Sequence, residues 1–411
     1  MFYRRFRRSL TNTRIRRSRW PRVLLLTTIV FVLIDIINIT HSGSPSTLPA
    51  ETLRPDTKSP DRIFIASIHW NNEAILRSHW NNALLDLVRT LGAANVYVAI
   101  FESGSWDNSK GALRELDAEL EKLGVEKKVV LDETTHVDEI ERTPSENEPG
   151  WIWTTRGKKE LRRIPYLSRM RNQALDELGR LAARKDGKGM FDKTIDVLTL
   201  LGTRDGDYAA ACSLDFARPP AYYDTFALRD DTGSKPITQT WPYFLSYKSR
   251  HALMSSLPVP VRSCWSGMVA FDAVPFYQDP MLRFRGIPDS LALYHLEGSE
   301  CCLIHADNYL SAKKGVWLNP EVRVGYSEAA YKLVHPTDST TWPLSGEKIL
   351  GIYFNRVVRL TNWPKRRLEA VVIWRRLSSW SSNNKPGMKE VGVYCLINEM
   401  QVLISNGWAH L

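Results

Sequence analysis

The chain has 411 residues and a formal net charge of +10, and 43% of its residues are hydrophobic. Nine arginines and no acidic residue lie within residues 1–22, so subtracting these nine charges leaves +1 for the rest of the chain. A nearly neutral body excludes a broad basic surface for nucleic acid, and the length predicts one large or two medium-sized domains.

An apolar stretch follows this basic tail. Residues 23–40 are mostly apolar, although Asp35 interrupts them, and 18 such residues suffice to cross a hydrocarbon layer of ~30 Å. We expect a transmembrane signal anchor with a cytosolic tail at 1–22, and a cleaved signal peptide is the alternative. Residues 41–60 are rich in Ser, Thr and Pro and predict a lumenal stem, which leaves 61–411 for the folded domain.

Strand and helix patterns alternate at the start of this domain. Apolar runs at 62–69, 95–101 and 128–131 predict three strands, and the segments between them have apolar residues at helical spacing, up to Leu91 and over 112–123. This order predicts an α/β fold with a parallel, doubly wound sheet. In such a sheet, ligands bind beyond the carboxyl ends of the strands.

Two polar segments should lie at that edge of the sheet. Glu102 and Asp107 follow the second strand in a loop that resembles a nucleoside-binding loop of nucleotide-sugar transferases, although ordinary turns share its composition. Arg169 and Arg171 lie early in a predicted helix that runs to about Ala183, and arginines beside a helix amino terminus suit a diphosphate. A solvated basic helix face is the alternative.

Acidic residues gather after a further strand. Residues 208–214 are small and apolar, which predicts a buried strand, and Asp215, Asp224 and Asp230 follow among paired aromatic residues. Carboxylates at the end of a rigid strand can hold a divalent cation or the hydroxyls of a sugar. An Asp-capped, solvated loop is the alternative.

A third group of polar residues lies within 284–310. Glu297, Glu300 and His305 surround an apolar run, Cys301–Ile304, that we interpret as a short strand. The acids could then contact a sugar and the imidazole a metal ion. Structural hydrogen bonds would explain each of these residues equally well.

The aromatic and cysteine residues allow two further interpretations. Trp265 is a candidate stacking platform for a sugar, against the alternative of a core tryptophan. The five cysteines lack metal-type spacing, and a lumenal location would permit disulfides. Cys212, inside the predicted strand, is interpreted as a small core residue.

Several blocks of the sequence resemble one family of enzymes. They include GSWDNSKGALRELDAEL, RRIPYLSRMRNQAL, GDYAAACSLDF, CWSGMVAFDA, HLEGSECCLIHADN and the closing CLINEMQVLISNGWAHL. Together they are similar to the fungal capsule-associated α-1,3-mannosyltransferases of the cryptococcal mannosyltransferase type. The resemblance covers roughly residues 61–360 and 390–411.

This resemblance implies a type II Golgi membrane enzyme with a GT-A-like fold, a doubly wound mixed sheet preceded by one transmembrane helix. It implies that mannose moves from GDP-mannose, with Mn²⁺, to a mannose-containing acceptor of a capsule or cell-wall polysaccharide, in α-1,3 linkage and with retention. By position, it assigns Glu102, Asp107, Arg169 and Arg171 to the nucleotide, Asp215, Asp224 and Trp265 to donor or acceptor sugar, Glu300, Glu297 and Asp230 to catalysis, and His305 to the metal.

One element expected of such an enzyme is missing. An apolar strand ending in a metal-binding carboxylate should follow the helix near Ala183, but residues 184–198 are rich in Lys, Gly and Asp. Asp205 and Asp207 form a literal D-x-D that precedes a strand, so we interpret it as a decoy that would bind metal only in an active chain. A truncated gene model, or an impaired family member acting as a Golgi binding or scaffold protein, is therefore the alternative. Residues 365–389 fit the family poorly and predict a variable surface excursion.

Overall fold

The chain divides into two compact units, Met1–Ser44 and Pro45–Leu411, in a computed structural model that describes residues 20–41, 62–182, 193–194, 198–336, 342–384 and 387–411. In the first unit, helix α1 (Trp20–His41) contains the apolar run at 23–40. Over the residues that the structure describes, no helix is both long enough and apolar enough to span a membrane. The signal anchor at 23–40 therefore has no support from the structure and stays a prediction.

A mixed sheet forms the centre of the second unit, and nine strands belong to it among the described residues. Its strands are β1 (Ile63–His69), β2 (Val96–Ser103), β3 (Glu126–Asp132), β6 (Lys193–Thr194), β7 (Ala210–Phe216), β8 (Arg229–Asp230), β9 (Val259–Ser263), β10 (Val269–Asp272) and β12 (Val316–Gly325). They lie in the order β3-β2-β1-β6-β10-β7-β12-β9-β8. Because β1, β2 and β3 run parallel, the predicted parallel start of the sheet is confirmed.

Three small antiparallel pairs accompany this sheet. They are β4 (Trp151–Trp153) with β5 (Lys159–Leu161), β11 (Glu297–Gly298) with β13 (Leu396–Ile397), and β14 (Gln401–Ile404) with β15 (Gly407–His410). The last two pairs bring the carboxyl-terminal segment back to the body of the domain. The fold is therefore mixed α/β, with parallel and antiparallel parts.

Among the described residues, the position next to β1 in the sheet is filled only at the start of that strand. The two residues of β6 pair in parallel with Ile63 and Phe64 at the start of β1, and antiparallel with β10 on their other side. From Ile65 to His69, β1 has a described strand partner only in β2. Most of the shortened segment predicted at 184–198 lies outside the described residues, so β6 is what the structure shows of it.

The second unit also contains helices. They are α2 (Glu73–Ile75), α3 (Asn81–Leu91), α4 (Ser109–Lys122), α5 (His136–Glu141), α6 (Arg163–Ala182), α7 (Leu198–Leu201), α8 (Tyr247–Met254), α9 (Asp289–Ala292), α10 (Glu300–Asp307), α11 (Ser311–Lys314), α12 (Glu328–Val334), α13 (Ser345–Thr361) and α14 (Trp363–Asn383). α3 and α4 cover the face of β1 that carries Ile63 and Ile65, whereas α6 covers the opposite face with Ala66 and Ile68. This alternation follows from the period of two along a strand.

Two elements differ from their prediction. Cys301–Ile304 lies in helix α10 and not in a strand. The prediction failed because every side chain of this short run is apolar and buried, so the sequence has no period that distinguishes a helix from a strand. The excursion predicted at 365–389 is largely helix α14. Its Trp380 is 1% exposed and packs in the core formed with the carboxyl-terminal segment.

Four of the five cysteines form disulfides. Cys212 bonds to Cys264, Cys302 bonds to Cys395, and Cys301 is free and buried. Cys212 is fully buried within β7, as predicted for a small core residue, and it also forms a disulfide that the prediction did not include. Its partner lies 52 residues further along the chain, and sequence spacing alone does not reveal such a pairing.

Candidate active site

A large cavity opens beside the carboxyl half of β1. Its volume is about 1170 Å³, and it lies between Ile65–His69 of β1 and the residues around Val269 of β10, where β6 offers no further described residue. α6 contributes the side chains of Arg163 and Arg171 to it. The lining also contains the polar residues Asp224, Lys235, Glu300, Tyr326, Glu399, Gln401 and His410 and the indoles of Trp265 and Trp408.

Arg171, Glu300 and Trp265 meet in this cavity. Nε of Arg171 lies 3.1 Å from Oε1 of Glu300, and its guanidinium carbon lies 4.4 Å from the centre of the Trp265 ring. Glu300 is the first residue of α10 and is 3% exposed, so the pair is held on two rigid elements. Charged donors and acceptors fixed in this way can orient a polar ligand through charge-assisted hydrogen bonds.

Asp215, at the end of β7, and Asp224 form a second polar group. Asp215 accepts hydrogen bonds from the backbone N–H of Asp224 and from the hydroxyl of Tyr326, both at 3.1 Å. Burial, and then the nearby charge of Asp224, raises the pKa of Asp215 to about 7. Burial also raises the pKa of Asp224, which lines the cavity. The structure therefore brings together two of the three acids predicted to follow the strand at 208–214.

The carboxyl-terminal segment supplies residues that the sequence did not single out. The guanidinium carbon of Arg163 lies 3.8 Å from the centre of the Trp408 ring on β15, and Nη1 donates to the side chain of Gln401 at 2.6 Å. Arg163 and Gln401 are 238 residues apart, so no local pattern connects them. The only signal in the sequence was the closing block that contains Gln401 and Trp408.

Glu297 and Asp230, predicted as catalytic acids, are buried and do not line the cavity. Glu297 accepts two hydrogen bonds from the guanidinium of Arg162. Asp230 accepts hydrogen bonds from the backbone N–H groups of Thr232 and Ser234, so it closes a turn. The structure therefore places both acids in structural contacts, and their prediction as site residues is not supported by their position.

Arg169, Glu102 and Asp107 also lie outside the cavity lining. Arg169 pairs with Glu139 at 2.5 Å, and it points away from Arg171 because two residues along a helix correspond to a rotation of about 200°. Glu102 is fully buried, and Asp107 accepts hydrogen bonds from the backbone and hydroxyl of Ser109. Their nucleotide-binding roles stay predictions, and the structure does not bring them together with Arg171.

The described residues do not form a donor set that suits Mn²⁺, which prefers oxygen ligands. Among them, Cys212, Cys264 and His305 bring three possible ligand atoms within 4.8 Å, but the two sulfurs are joined in a disulfide. Nε2 of His305 lies 2.6 Å from the carbonyl oxygen of Cys264, and burial lowers the pKa of His305 to about 4. This histidine is therefore held as a neutral core residue away from carboxylates.

Asp205 and Asp207 lie at the opposite end of β7 from Asp215. Asp205 belongs to a 3₁₀ turn, Thr203–Gly206, that precedes the strand, and both acids are exposed. Since a strand rises about 3.3 Å per residue, the five residues of β7 before Asp215 separate it from these acids by at least roughly 16 Å. Neither acid lines the cavity.

A comparison with known protein families matches this chain to a family named for sugar transfer. The family described as cryptococcal mannosyltransferase 1 matches residues 62–307, which is more than half of the chain. The matched range contains Arg171, Asp224 and Glu300. No curated protein matches the chain. The resemblance seen in the sequence is thereby confirmed.

Proposed function

The chain belongs to the cryptococcal mannosyltransferase 1 family, and we propose from this that it transfers mannose from GDP-mannose to a mannose-containing acceptor, in α-1,3 linkage and with retention. The observation that carries the proposal is the cavity in which Arg171, Glu300, Asp224 and Trp265 converge. We further propose that the mixed sheet is GT-A-like. In α/β sheets of this kind a ligand lies beyond the carboxyl ends of the parallel strands, where this cavity opens.

Three cationic side chains in the cavity suit the diphosphate of the donor. Arg163, Arg171 and Lys235 all line it. When the bond between C1 of mannose and the diphosphate breaks, GDP leaves with the electron pair and negative charge grows on its phosphate oxygens. Fixed guanidinium groups stabilise such charge. Because no described donor set suits Mn²⁺, we derive no step through a metal.

Carboxylates and aromatic rings suit the two sugars. Glu300 and Asp224 can accept hydrogen bonds from sugar hydroxyls, while Trp265 and Tyr326 offer apolar ring faces to sugar C–H groups. We place Glu300 nearest to the reaction centre because its pair with Arg171 joins the sugar-binding and diphosphate-binding parts of the cavity. Retention then requires the acceptor oxygen to approach C1 from the face that GDP leaves.

A catalytically impaired family member is the second candidate, acting as a Golgi protein that binds donor or glycan. Two observations favour it: residues 184–198 are rich in Lys, Gly and Asp where an apolar strand is expected, and no group of three or more potential metal-ligating side chains in the described chain is a set of oxygens. Such a protein would keep the cavity and its cations and would bind GDP. It would not lower the barrier to transfer.

Mannose transfer by the purified full-length chain distinguishes the two candidates. Labelled GDP-mannose and a mannose disaccharide are incubated with the chain, with and without Mn²⁺, and the product linkage is read by NMR. Transfer that Glu300→Gln abolishes and Asp86→Asn, on the exposed face of α3, leaves intact supports the enzyme. GDP-induced thermal stabilisation without transfer supports the impaired member, and absence of both contradicts both candidates.

We also propose that the protein is a type II protein of the Golgi membrane, with residues 1–22 cytosolic and the folded domain lumenal. The basic tail beside an apolar run supports this orientation. The disulfides Cys212–Cys264 and Cys302–Cys395 support an oxidising compartment for the domain.

A further inference from the structure

Helices α13 and α14 follow each other with only Asn362 between them, outside the residues that the family matches. Their inner faces are attached to the domain. Asn355 donates hydrogen bonds to the carbonyl oxygens of Thr240 and Trp241, and the indole of Trp380 donates to Ser290. The inner faces of this helix pair, residues 345–383, are therefore held against the domain, whereas the outer faces point away from it.

The outer face of α13 is apolar. Leu350, Phe354 and Val357 recur at intervals of four and three residues, and they are 73%, 52% and 58% exposed. They lie about half a turn around the helix from the buried Ile352 and Asn355. The stripe is thus opposite to the face that packs on the domain, and no described residue covers it.

The outer face of α14 is also apolar, and it includes two tryptophan side chains. Trp363 and Trp374 are 58% and 66% exposed, and Leu368 and Val371 are 67% and 45% exposed. Tryptophan and leucine are seldom left this open on a soluble surface unless the surface has a partner. These four residues follow the stripe on α13 along the chain, in the next helix.

The same stretch is strongly basic. Residues 356–376 contain seven arginines or lysines and a single acid, Glu369, whose carboxylate pairs with Lys235 at 2.5 Å. The guanidinium carbon of Arg367 lies 5.4 Å from the centre of the Trp363 ring, so cation and indole are presented together. No carboxylate of the described chain forms an ion pair with the exposed Arg359, Lys365, Arg367 and Arg375.

We propose that the outer face of α13 and α14 binds the surface of an anionic lipid bilayer. Phe, Leu and Trp side chains can enter the boundary between headgroups and acyl chains, while the long Arg and Lys side chains reach the lipid phosphates. A protein partner fits this surface less well, since the centres of protein interfaces are depleted in charge and here cations alternate with apolar groups. The proposal does not depend on mannose transfer, and for the lumenal domain proposed above it requires anionic headgroups in the lumenal leaflet.

A fluorescent probe on the full chain tests this directly. The probe is attached at Val357→Cys, where the new thiol is accessible, because Cys301 is buried and the other cysteines are paired. A matched chain carries the probe at Arg114→Cys, an exposed position on α4. Both are reconstituted in vesicles of phosphatidylcholine, with or without phosphatidylglycerol, that contain a spin-labelled quencher lipid.

The proposal expects quenching and a blue shift at position 357 in vesicles with phosphatidylglycerol, and neither change at position 114. Replacing Arg367 and Arg375 by Ser should remove most of the quenching, and near-UV circular dichroism shows that the variant is folded. The proposal is overturned by no quenching at 357, by equal quenching at 357 and 114, or by equal quenching without phosphatidylglycerol. A blue shift that grows with protein concentration in the absence of lipid also overturns it and assigns the surface to a second copy of the chain.

Discussion

The carboxylate of Glu297 accepts two hydrogen bonds from the guanidinium of Arg162, at 2.6 and 3.2 Å, and both side chains are fully buried. The remaining donors of Arg162 reach Asp289 and the carbonyl oxygen of Ile287. This pair ties the start of α6 to the segment that precedes α10. Because α6 carries Arg171 and α10 carries Glu300, the Arg162–Glu297 pair positions the Arg171–Glu300 pair in the cavity.

Replacing Glu297 by Ala should therefore act on stability. It leaves the charge of Arg162 buried without its main partner, and losing one member of a buried ion pair costs about 3–5 kcal/mol. Denaturant-induced unfolding measures the loss. Asp86→Ala, which removes an exposed pair with Arg89, should change the unfolding free energy by less than about 1 kcal/mol. A Glu297→Ala chain of normal stability that no longer transfers mannose would return Glu297 to the reaction centre.

Arg171 and Arg169 should differ in their effect on GDP binding. Arg171→Ala should weaken it by about 10- to 100-fold, since hydrogen bonds to charged groups contribute about 1.5–3 kcal/mol. Arg169→Ala should leave it nearly unchanged, because Arg169 pairs with Glu139 outside the cavity. Calorimetric titration with GDP compares the two, after thermal unfolding shows that both are folded. Equal losses would contradict the assignment of the diphosphate to Arg171.

The raised pKa of Asp215 predicts a dependence of stability on pH. Its carboxyl has a pKa of about 7 in the folded chain against an ordinary value of 3.8, so between these values the folded state binds more protons than the unfolded state. Stability should then fall as the pH rises from about 4 to about 7, by at most about 1.4 kcal/mol per pH unit from this group. Asp215→Asn should remove that contribution. If the unfolding free energies of the unmodified chain and of Asp215→Asn change with pH in the same way across this range, the effect is ruled out.

Mn²⁺ should add little to the stabilisation of the chain by GDP. The carboxylates of Asp215, Asp224 and Glu300 already accept hydrogen bonds or pair with Arg171, and they do not belong to any described group of three or more side chains that could hold an ion. Thermal unfolding with GDP, with and without Mn²⁺, gives the gain as RT ln(1 + [L]/Kd). A large additional gain would assign metal binding to Asp205 and Asp207 or to residues outside the described ones, and it would favour the active enzyme. Sequencing the transcript for further codons within residues 184–198 then tests the truncated gene model.

The proposed orientation in the membrane can be tested in sealed microsomes. Protease added outside should remove only the tail at 1–22 and leave the domain intact until detergent is added. A tag at the amino terminus and an antibody to the domain report the two parts. Digestion of the domain without detergent would show that it faces the cytosol and that the signal-anchor interpretation is wrong.

Local patterns in the sequence were enough to predict the first part of the fold. The apolar periods of β1, β2 and β3 and of the helices between them are set by neighbouring residues, and a sheet with this alternation has few arrangements. The wholly apolar Cys301–Ile304 lacked such a period and was assigned wrongly. A buried helix and a buried strand look alike over so short a run.

The roles of individual acids depend on contacts that the sequence does not show. Glu297 and Glu300 are three residues apart and are the same residue type, but one faces Arg162 in the core and the other faces Arg171 in the cavity. Which of them meets a ligand is decided by residues more than a hundred positions earlier in the chain. Trp408 was not predicted as a site residue for the same reason. Its position beside Arg163 is a contact between distant parts of the chain, formed where the carboxyl-terminal segment packs against α6.

The disulfide between Cys302 and Cys395 also closes a covalent loop of the chain that contains the helix pair. The two cysteines are 93 residues apart, and both α13 and α14 lie between them. A protease that nicks the exposed helix pair leaves the segment with Gln401 and Trp408 bonded to α10. The nicked chain therefore keeps the wall of its cavity attached, and only reduction of this bond lets the two fragments part.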